Sequence, residues 1–105
     1  MTVKEVDDKQ FQEELKNNPK VIVKFYADWC GSCKLFAPKY KRLAQSEEYQ
    51  DFTFLNINAE ENPEARKWAG VSNLPYFAVA KEGQLVDGDF TAKEEGVKKL
   101  IEKLN

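Results

Sequence analysis

The sequence predicts an α/β domain, a central mixed β-sheet with helices on both faces. Three observations predict it. Apolar, β-type segments alternate with stretches of helical periodicity along the 105 residues, which implies parallel crossovers. The run Val21-Ile22-Val23-Lys24-Phe25-Tyr26-Ala27 is β-branched, aromatic and nearly continuously apolar, the pattern of a strand covered on both sides. Two further strand-like segments, Tyr76 to Lys81 and Gln84 to Asp87, meet at Glu82-Gly83, a hairpin signal that adds antiparallel pairing.

The elements follow in the order β-α-β-α-β-α-β-β-α. Val3 to Val6 is a short strand. Asp7 or Asp8 caps a helix that places Phe11 and Leu15 at i, i+4 and ends near Asn17-Asn18-Pro19. After the Val21–Ala27 strand comes Asp28-Trp29-Cys30-Gly31-Ser32-Cys33. A long helix then puts Phe36, Tyr40, Leu43 and Ala44 on one side. Pro38 lies within it, removes the bond to the Lys34 carbonyl and should kink it. Phe52 to Asn58 is a strand whose apolar phase changes near Leu55. Asn62-Pro63-Glu64 starts a helix that Gly70 stops. Val97, Leu100, Ile101 and Leu104 form the stripe of a last helix, which Gly96 weakens at its start.

A chain of 105 residues and 12.1 kDa supports one core, hence a single domain over 1–105. With 42% apolar and 32% charged residues it reads as an ordinary globule. Sixteen basic against eighteen acidic side chains leave a net charge of -2, against the basic excess that nucleic-acid binding needs. The longest apolar run, Tyr76 to Ala80, is five residues, whereas a membrane span takes about 20. The start MTVKEVDDKQ carries acids and no apolar core of a secretory signal, so a cytoplasmic location is expected. There is no histidine, which excludes Cys-His and Ser-His pairs and imidazole metal ligands.

The two cysteines, Cys30 and Cys33, are three apart. A bridge between them would close a very short loop, and short loops restrict the unfolded chain least, so global stabilisation explains the pair poorly. At a strand-to-helix junction Cys30 falls at or near the N-cap, where free amide N–H groups and the helix dipole favour thiolate over thiol. Thiolate is the attacking species in disulfide exchange. Cys33, one turn on and deeper, can resolve a mixed disulfide by attacking Cys30. An exposed attacker with a sheltered resolver makes a two-electron carrier. Two other readings are weighed beside it: an inert buried pair, and half of a zinc or iron–sulfur site shared between two chains.

Trp29-Cys30-Gly31-Ser32-Cys33 resembles the site of the thioredoxin family. C-x-x-C beside a βαβ pattern is itself the general mark of that family. The resemblance spans essentially the whole chain: Phe25-Tyr26-Ala27-Asp28, Lys34, Ala37-Pro38, Asn62-Pro63, Leu74-Pro75, Lys81-Glu82-Gly83 and Gly88 lie where the family has similar residues. It implies the thioredoxin fold, with Cys30 attacking and Cys33 resolving. It makes Trp29 the flanking aromatic, where the plain alternative is a core aromatic. It makes Pro75 a cis-proline opposite the dithiol, leaving the Leu74 backbone to pair with an extended client; without the family, a trans turn proline is the default.

Three positions depart from the family. Ser32 stands where proline is usual; its N–H and hydroxyl can both donate toward the Cys30 sulfur, which favours the reduced form and makes the couple more oxidising. Lys24 stands where the family buries an aspartate that assists proton transfer. Either Lys24 snorkels and keeps its charge in water, or its ammonium lies under the dithiol and favours thiolate. Tyr76 replaces a small hydroxyl residue after Pro75, and either reshapes the client groove or faces the core.

The expected function is reduction of client disulfides by a reversible Cys30–Cys33 dithiol, with no bound cofactor and no metal. The resemblance implies recycling by an NADPH-dependent thioredoxin reductase. Clients should dock on Trp29, Val71, Leu74 and Pro75, with Tyr76 at the edge. A monomer is expected, with no nucleic-acid or membrane partner. Two other functions stay open on the sequence: a folding oxidase or isomerase, and a redox-silent binding module on the same fold.

Overall fold

The computed structural model describes residues 2–105. Strand β1 (Val3–Glu5) leads to α1 (Asp8–Asn17), β2 (Lys20–Tyr26), α2 (Gly31–Gln45), a 3₁₀ turn at Glu47–Tyr49, β3 (Thr53–Asn58), α3 (Pro63–Ala69), β4 (Tyr76–Lys81), β5 (Gln84–Phe90) and α4 (Glu94–Glu102). The five strands form one mixed sheet in the order β1-β3-β2-β4-β5. β2 is central, parallel to β3 and antiparallel to β4. β1 runs parallel to β3, and β5 antiparallel to β4.

Both sheet faces are covered, as the apolar run of β2 requires. Ile22, Phe54, Phe77 and Val79 pack with Phe36, Tyr40 and Leu43 of α2 and with Val97, Leu100 and Ile101 of α4. Val21, Val23, Phe25, Leu55 and Ile57 pack on the other face with Phe11 and Leu15 of α1 and Ala65 and Ala69 of α3. β3 therefore has no phase change. Its register with β2 is continuous from Thr53 to Asn58, with Phe54 serving one core and Leu55 and Ile57 the other. A strand buried on both faces imitates a phase shift because both sets of alternate positions are apolar. Alternation also puts Lys24 on the Ile22 side, facing α2.

Local chemistry fixes the ends. Asp7, not Asp8, is the N-cap of α1: its carboxylate accepts from Gln10 N at 2.8 Å while Gln10 Oε1 accepts from Asp7 N at 3.0 Å, a capping box. Asp8 serves α3 instead, accepting from the amides of Glu64 (3.2 Å) and Ala65 (2.8 Å). α3 ends at Gly70, whose φ of 70° lies in the left-handed region that glycine enters without cost. Glu82 (φ 51°) and Gly83 (φ 81°) make the two-residue hairpin turn with both φ positive. α2 continues through Pro38, and Tyr40 ties it to the sheet, its hydroxyl donating to the carbonyls of Leu55 (2.7 Å) and Ile22 (3.2 Å). β5 runs past Asp87 to Phe90. Among the described residues no helix is long and apolar enough to cross a membrane.

Candidate active site

The C-terminal end of β2 delivers the chain to the start of α2, and the dithiol sits in that turn. Cys30 is the N-cap residue of the fifteen-residue α2. Its sulfur accepts from the Cys33 amide at 3.2 Å. Cys30 and Cys33 are joined in a disulfide, with Cα atoms 5.3 Å apart. When that bond is reduced, the same amide and the positive end of α2 remain aimed at the Cys30 sulfur. Both stabilise a thiolate there.

Burial differs from the sequence expectation. Cys30 is 4% exposed and Cys33 2%. In the oxidised protein Cys30 is thus not an open attacker beside a hidden resolver, because the bond to Cys33 and the N-cap position both turn its sulfur into the helix. The Ser32 hydroxyl lies 3.6 Å from the Cys30 sulfur. The amide bonded to that sulfur is that of Cys33, not of Ser32, so the contribution of Ser32 is its hydroxyl. Gly31 and Ser32 are exposed at the first turn.

Trp29 is no core aromatic: it is 68% exposed, and its indole N–H donates to Glu60 Oε2 at 2.7 Å. The tryptophan that does pack inside is Trp68, edge-on to Phe11 with ring centroids 5.0 Å apart. Leu74 packs against the small cluster of Ala27, Cys30 and Cys33. The Leu74–Pro75 peptide bond beside it is cis, and Pro75 is buried. The Pro75 carbonyl accepts from Thr91 N, whereas among the described residues the Leu74 N–H and C=O have no intramolecular partner. Val71 and Tyr76, like Leu74, also pack against the core under α1 and α3. The Tyr76 ring is edge-on to Phe25 at 6.4 Å and covers Gly88, where a Cβ would come within 2.8 Å of the Tyr76 hydroxyl. Tyr76 is therefore turned to the sheet, and Gly88 is the residue that makes room for it.

Lys24 does not snorkel. It is 4% exposed, with its Nζ 5.4 Å from the Tyr40 ring centroid and 5.8 Å from that of Tyr26. Burial pushes its pKa below the usual lysine value, and the charge of Glu5 partly restores it. Glu5 itself accepts from the Tyr26 hydroxyl (2.6 Å) and from the Asn56 amide nitrogen (2.9 Å). Burial, together with that bond, raises the pKa of the Tyr26 phenol. Lys24 and Cys33 line one cavity of about 270 Å³ behind the disulfide.

Glu60, Glu5 and Asn56 were not singled out in the sequence. Asn56 had a signal, a polar residue between Leu55 and Ile57 in a buried strand. Glu60 had none, since only the turn after β3 brings it to Trp29.

The chemistry is that of a reversible dithiol: two sulfurs one turn apart, one held by an amide donor at a helix N-terminus. This placement, at a helix N-terminus with an amide on the sulfur, does not favour idle thiols.

Known proteins agree. The family model Thioredoxin matches residues 2–104. The chain is similar to the mitochondrial thioredoxin-3 of Saccharomyces cerevisiae, 36% identical over 95 residues covering 87% of this chain and 73% of that one. Among solved structures, thioredoxin f from spinach chloroplast (short form) superposes with a TM-score of 0.88 at 33% identity, covering 98% of this chain and 93% of that one. Thioredoxin f2, solved in complex with ferredoxin:thioredoxin reductase, is similar at a TM-score of 0.86 and 36% identity, covering 96% and 93%.

Proposed function

The chain belongs to the thioredoxin family and is a thiol–disulfide oxidoreductase, and from that premise we propose the cycle by which it reduces client proteins. The Cys30 thiolate attacks one sulfur of a client disulfide. That bond breaks, one client thiolate leaves, and Cys30 is joined to the other client sulfur. Cys33, as thiolate, then attacks Cys30 Sγ, expels the second client thiolate and closes the Cys30–Cys33 bond. Two electrons pass to the client. The observation that carries the cycle is Cys30 at the N-cap of α2, its sulfur facing the Cys33 amide.

The client surface is formed by Trp29 and the unpartnered backbone of Leu74 beside cis-Pro75, with Val71 next to it. An extended client strand can bond to the Leu74 N–H and C=O as an added strand would. Tyr76 borders this surface without entering it, as its ring covers Gly88. The oxidised protein is returned to the dithiol by a reductase. An NADPH-dependent thioredoxin reductase is our assignment, and the complex of thioredoxin f2 with ferredoxin:thioredoxin reductase is the competing type. We assign the cytoplasm, whose reducing poise suits a client reductase, and a monomeric state.

Insulin reduction with dithiothreitol tests the cycle. Wild type should accelerate it and Cys30→Ser should not. Cys33→Ser should accumulate mixed disulfides with clients. Equal rates for wild type and Cys30→Ser would reject the cycle. NADPH consumption with an NADPH-dependent reductase, compared with reduction by a ferredoxin:thioredoxin reductase supplied with reduced ferredoxin, tests the reductase assignment; cell fractionation and sedimentation test the other two.

A further inference from the structure

The cavity behind the disulfide contains a charge problem that the cycle above does not use. Lys24 is buried, yet among the described residues no carboxylate lies within 4.0 Å of its Nζ. Glu5, the acid closest to it in electrostatic effect, has its two oxygens taken by Tyr26 and Asn56. Two aromatic faces and the more distant charge of Glu5 are the compensation seen among the described residues. Asn56, the β3 neighbour of Lys24 in the sheet, lines the same cavity as Lys24 and Cys33, and its Oδ1 is buried with no hydrogen-bond partner. A second pocket of about 430 Å³ reaches Lys24 between Val3, Glu5 and Tyr40, so solvent protons have a route to it.

We propose that Lys24 is the internal counter-cation of the reduced site: opening the Cys30–Cys33 bond draws a proton onto Lys24 Nζ, and the ammonium then faces the Cys33 sulfur across the cavity. In the step, the S–S bond breaks as a reducing dithiol closes to its own disulfide and releases two protons to solvent, and its two electrons settle on the two cysteine sulfurs. One solvent proton binds the lysine nitrogen. This rests on the reading of Cys30–Cys33 as the redox couple.

The physical reason is the cost of a lone buried charge. In the oxidised protein the ammonium has no anion opposite it, and burial disfavours it. Reduction places negative charge on sulfur at the wall of the same cavity. Opposite charges attract more strongly there than in water, and a pair is far less costly than either ion alone. The ionisable groups around Lys24 are Glu5 on β1, Tyr26 on β2, Asp28 just beyond it, and Lys34, Tyr40 and Lys41 on α2; Asn56 on β3 is neutral. None of these gains or loses a covalent bond during turnover. The cysteines do, so the redox change acts on Lys24 through them. An acid at this position would be repelled by the new thiolate, whereas a lysine is drawn toward its charged form.

The test is the pH dependence of the midpoint potential, measured for wild type, Lys24→Met and Lys24→Gln against a reference dithiol. Between the pKa values of Lys24 in the two redox states, the reduced wild type binds one more proton than the oxidised. Its reduction equilibrium should there change by an extra tenfold per pH unit relative to both variants, about 30 mV per pH unit for two electrons. NMR titration of the Lys24 side chain in wild type should give a higher pKa in the reduced protein; this needs no variant. Parallel potential curves, or a single Lys24 pKa in both redox states, would overturn the proposal while leaving the dithiol cycle intact. A protein whose bridge does not open and close reversibly would instead remove the cycle itself.

Discussion

Replacing Lys24 with methionine should make the oxidised protein more stable, by up to about 2 kcal/mol at pH 7. Lys24 is 4% exposed and has no ion-pair partner among the described residues. A charged group held in a largely buried site without an ion-pair partner costs about 1–3 kcal/mol. The contacts with Tyr40 and Tyr26, at 5.4 and 5.8 Å, offset about 0.5–1 kcal/mol each. Methionine keeps the length of the chain and adds no charge. The gain should also depend on pH. Burial holds the folded-state pKa of Lys24 below that of the unfolded chain, so between the two values the unfolded protein binds more protons and wild-type stability rises with pH. The rise is at most about 1.4 kcal/mol per pH unit. The advantage of methionine is therefore largest near neutrality and shrinks as pH climbs toward about 10.4, where free lysine titrates. Urea unfolding of both oxidised proteins at pH 7 and pH 10 measures it. A less stable variant at pH 7, or an advantage that does not change with pH, would refute the reasoning.

The other expectations are local. Ser32→Ala removes the hydroxyl 3.6 Å from the Cys30 sulfur and should lower the redox potential by about 20 mV, equivalent to one net hydrogen bond of about 1 kcal/mol; equilibration with glutathione reads this, and an unchanged or higher potential counts against a stabilising hydroxyl. Asp8→Ala strips the cap from α3, whose own N-cap Asn62 makes no side-chain cap bond, and should cost about 1–2 kcal/mol in urea unfolding; a change under a few tenths would mean that solvent caps α3 equally well. Gly96→Ala should destabilise although alanine favours helices by about 1 kcal/mol, because its Cβ would come within 2.5 Å of Thr91 Oγ1 and 3.0 Å of Thr91 Cβ; a raised Tm would show that Thr91 yields.

How much of this was legible in the sequence depends on the range of the interaction. Element order, the hairpin at Glu82-Gly83, the stop at Gly70 and the N-cap position of Cys30 rest on residues within a few positions of one another, and the structure has each in place. β3 is ambiguous near Leu55 because one-dimensional alternation cannot tell a phase shift from a strand buried twice. Asp8 looked like a cap for its own helix and caps α3, 56 and 57 residues away. The surroundings of Lys24 were equally out of reach. Its position on β2 was plain, but Glu5, Tyr40 and Asn56 reach it from β1, α2 and β3, and only the sheet register brings Asn56 beside it. Gly96 looked like a weakness of α4, whereas the approach of Thr91 leaves space for no larger residue. Trp29 and Trp68 could not be ranked for exposure by periodicity, since Trp29 precedes a helix and belongs to no repeating face.

Disulfide exchange at this turn depends most directly on the acidity of Cys30 in the reduced protein. The rate of alkylation by iodoacetamide, followed from pH 5 to 9 in Cys33→Ser and wild type, reports it. The expected result is an inflection for Cys30 clearly below about 8.5, where free cysteine titrates, and faster modification at pH 7 than of free cysteine. An inflection at or above that value would mean that the helix N-terminus and the Cys33 amide do not hold a thiolate, and the chemistry assigned to this turn would be contradicted.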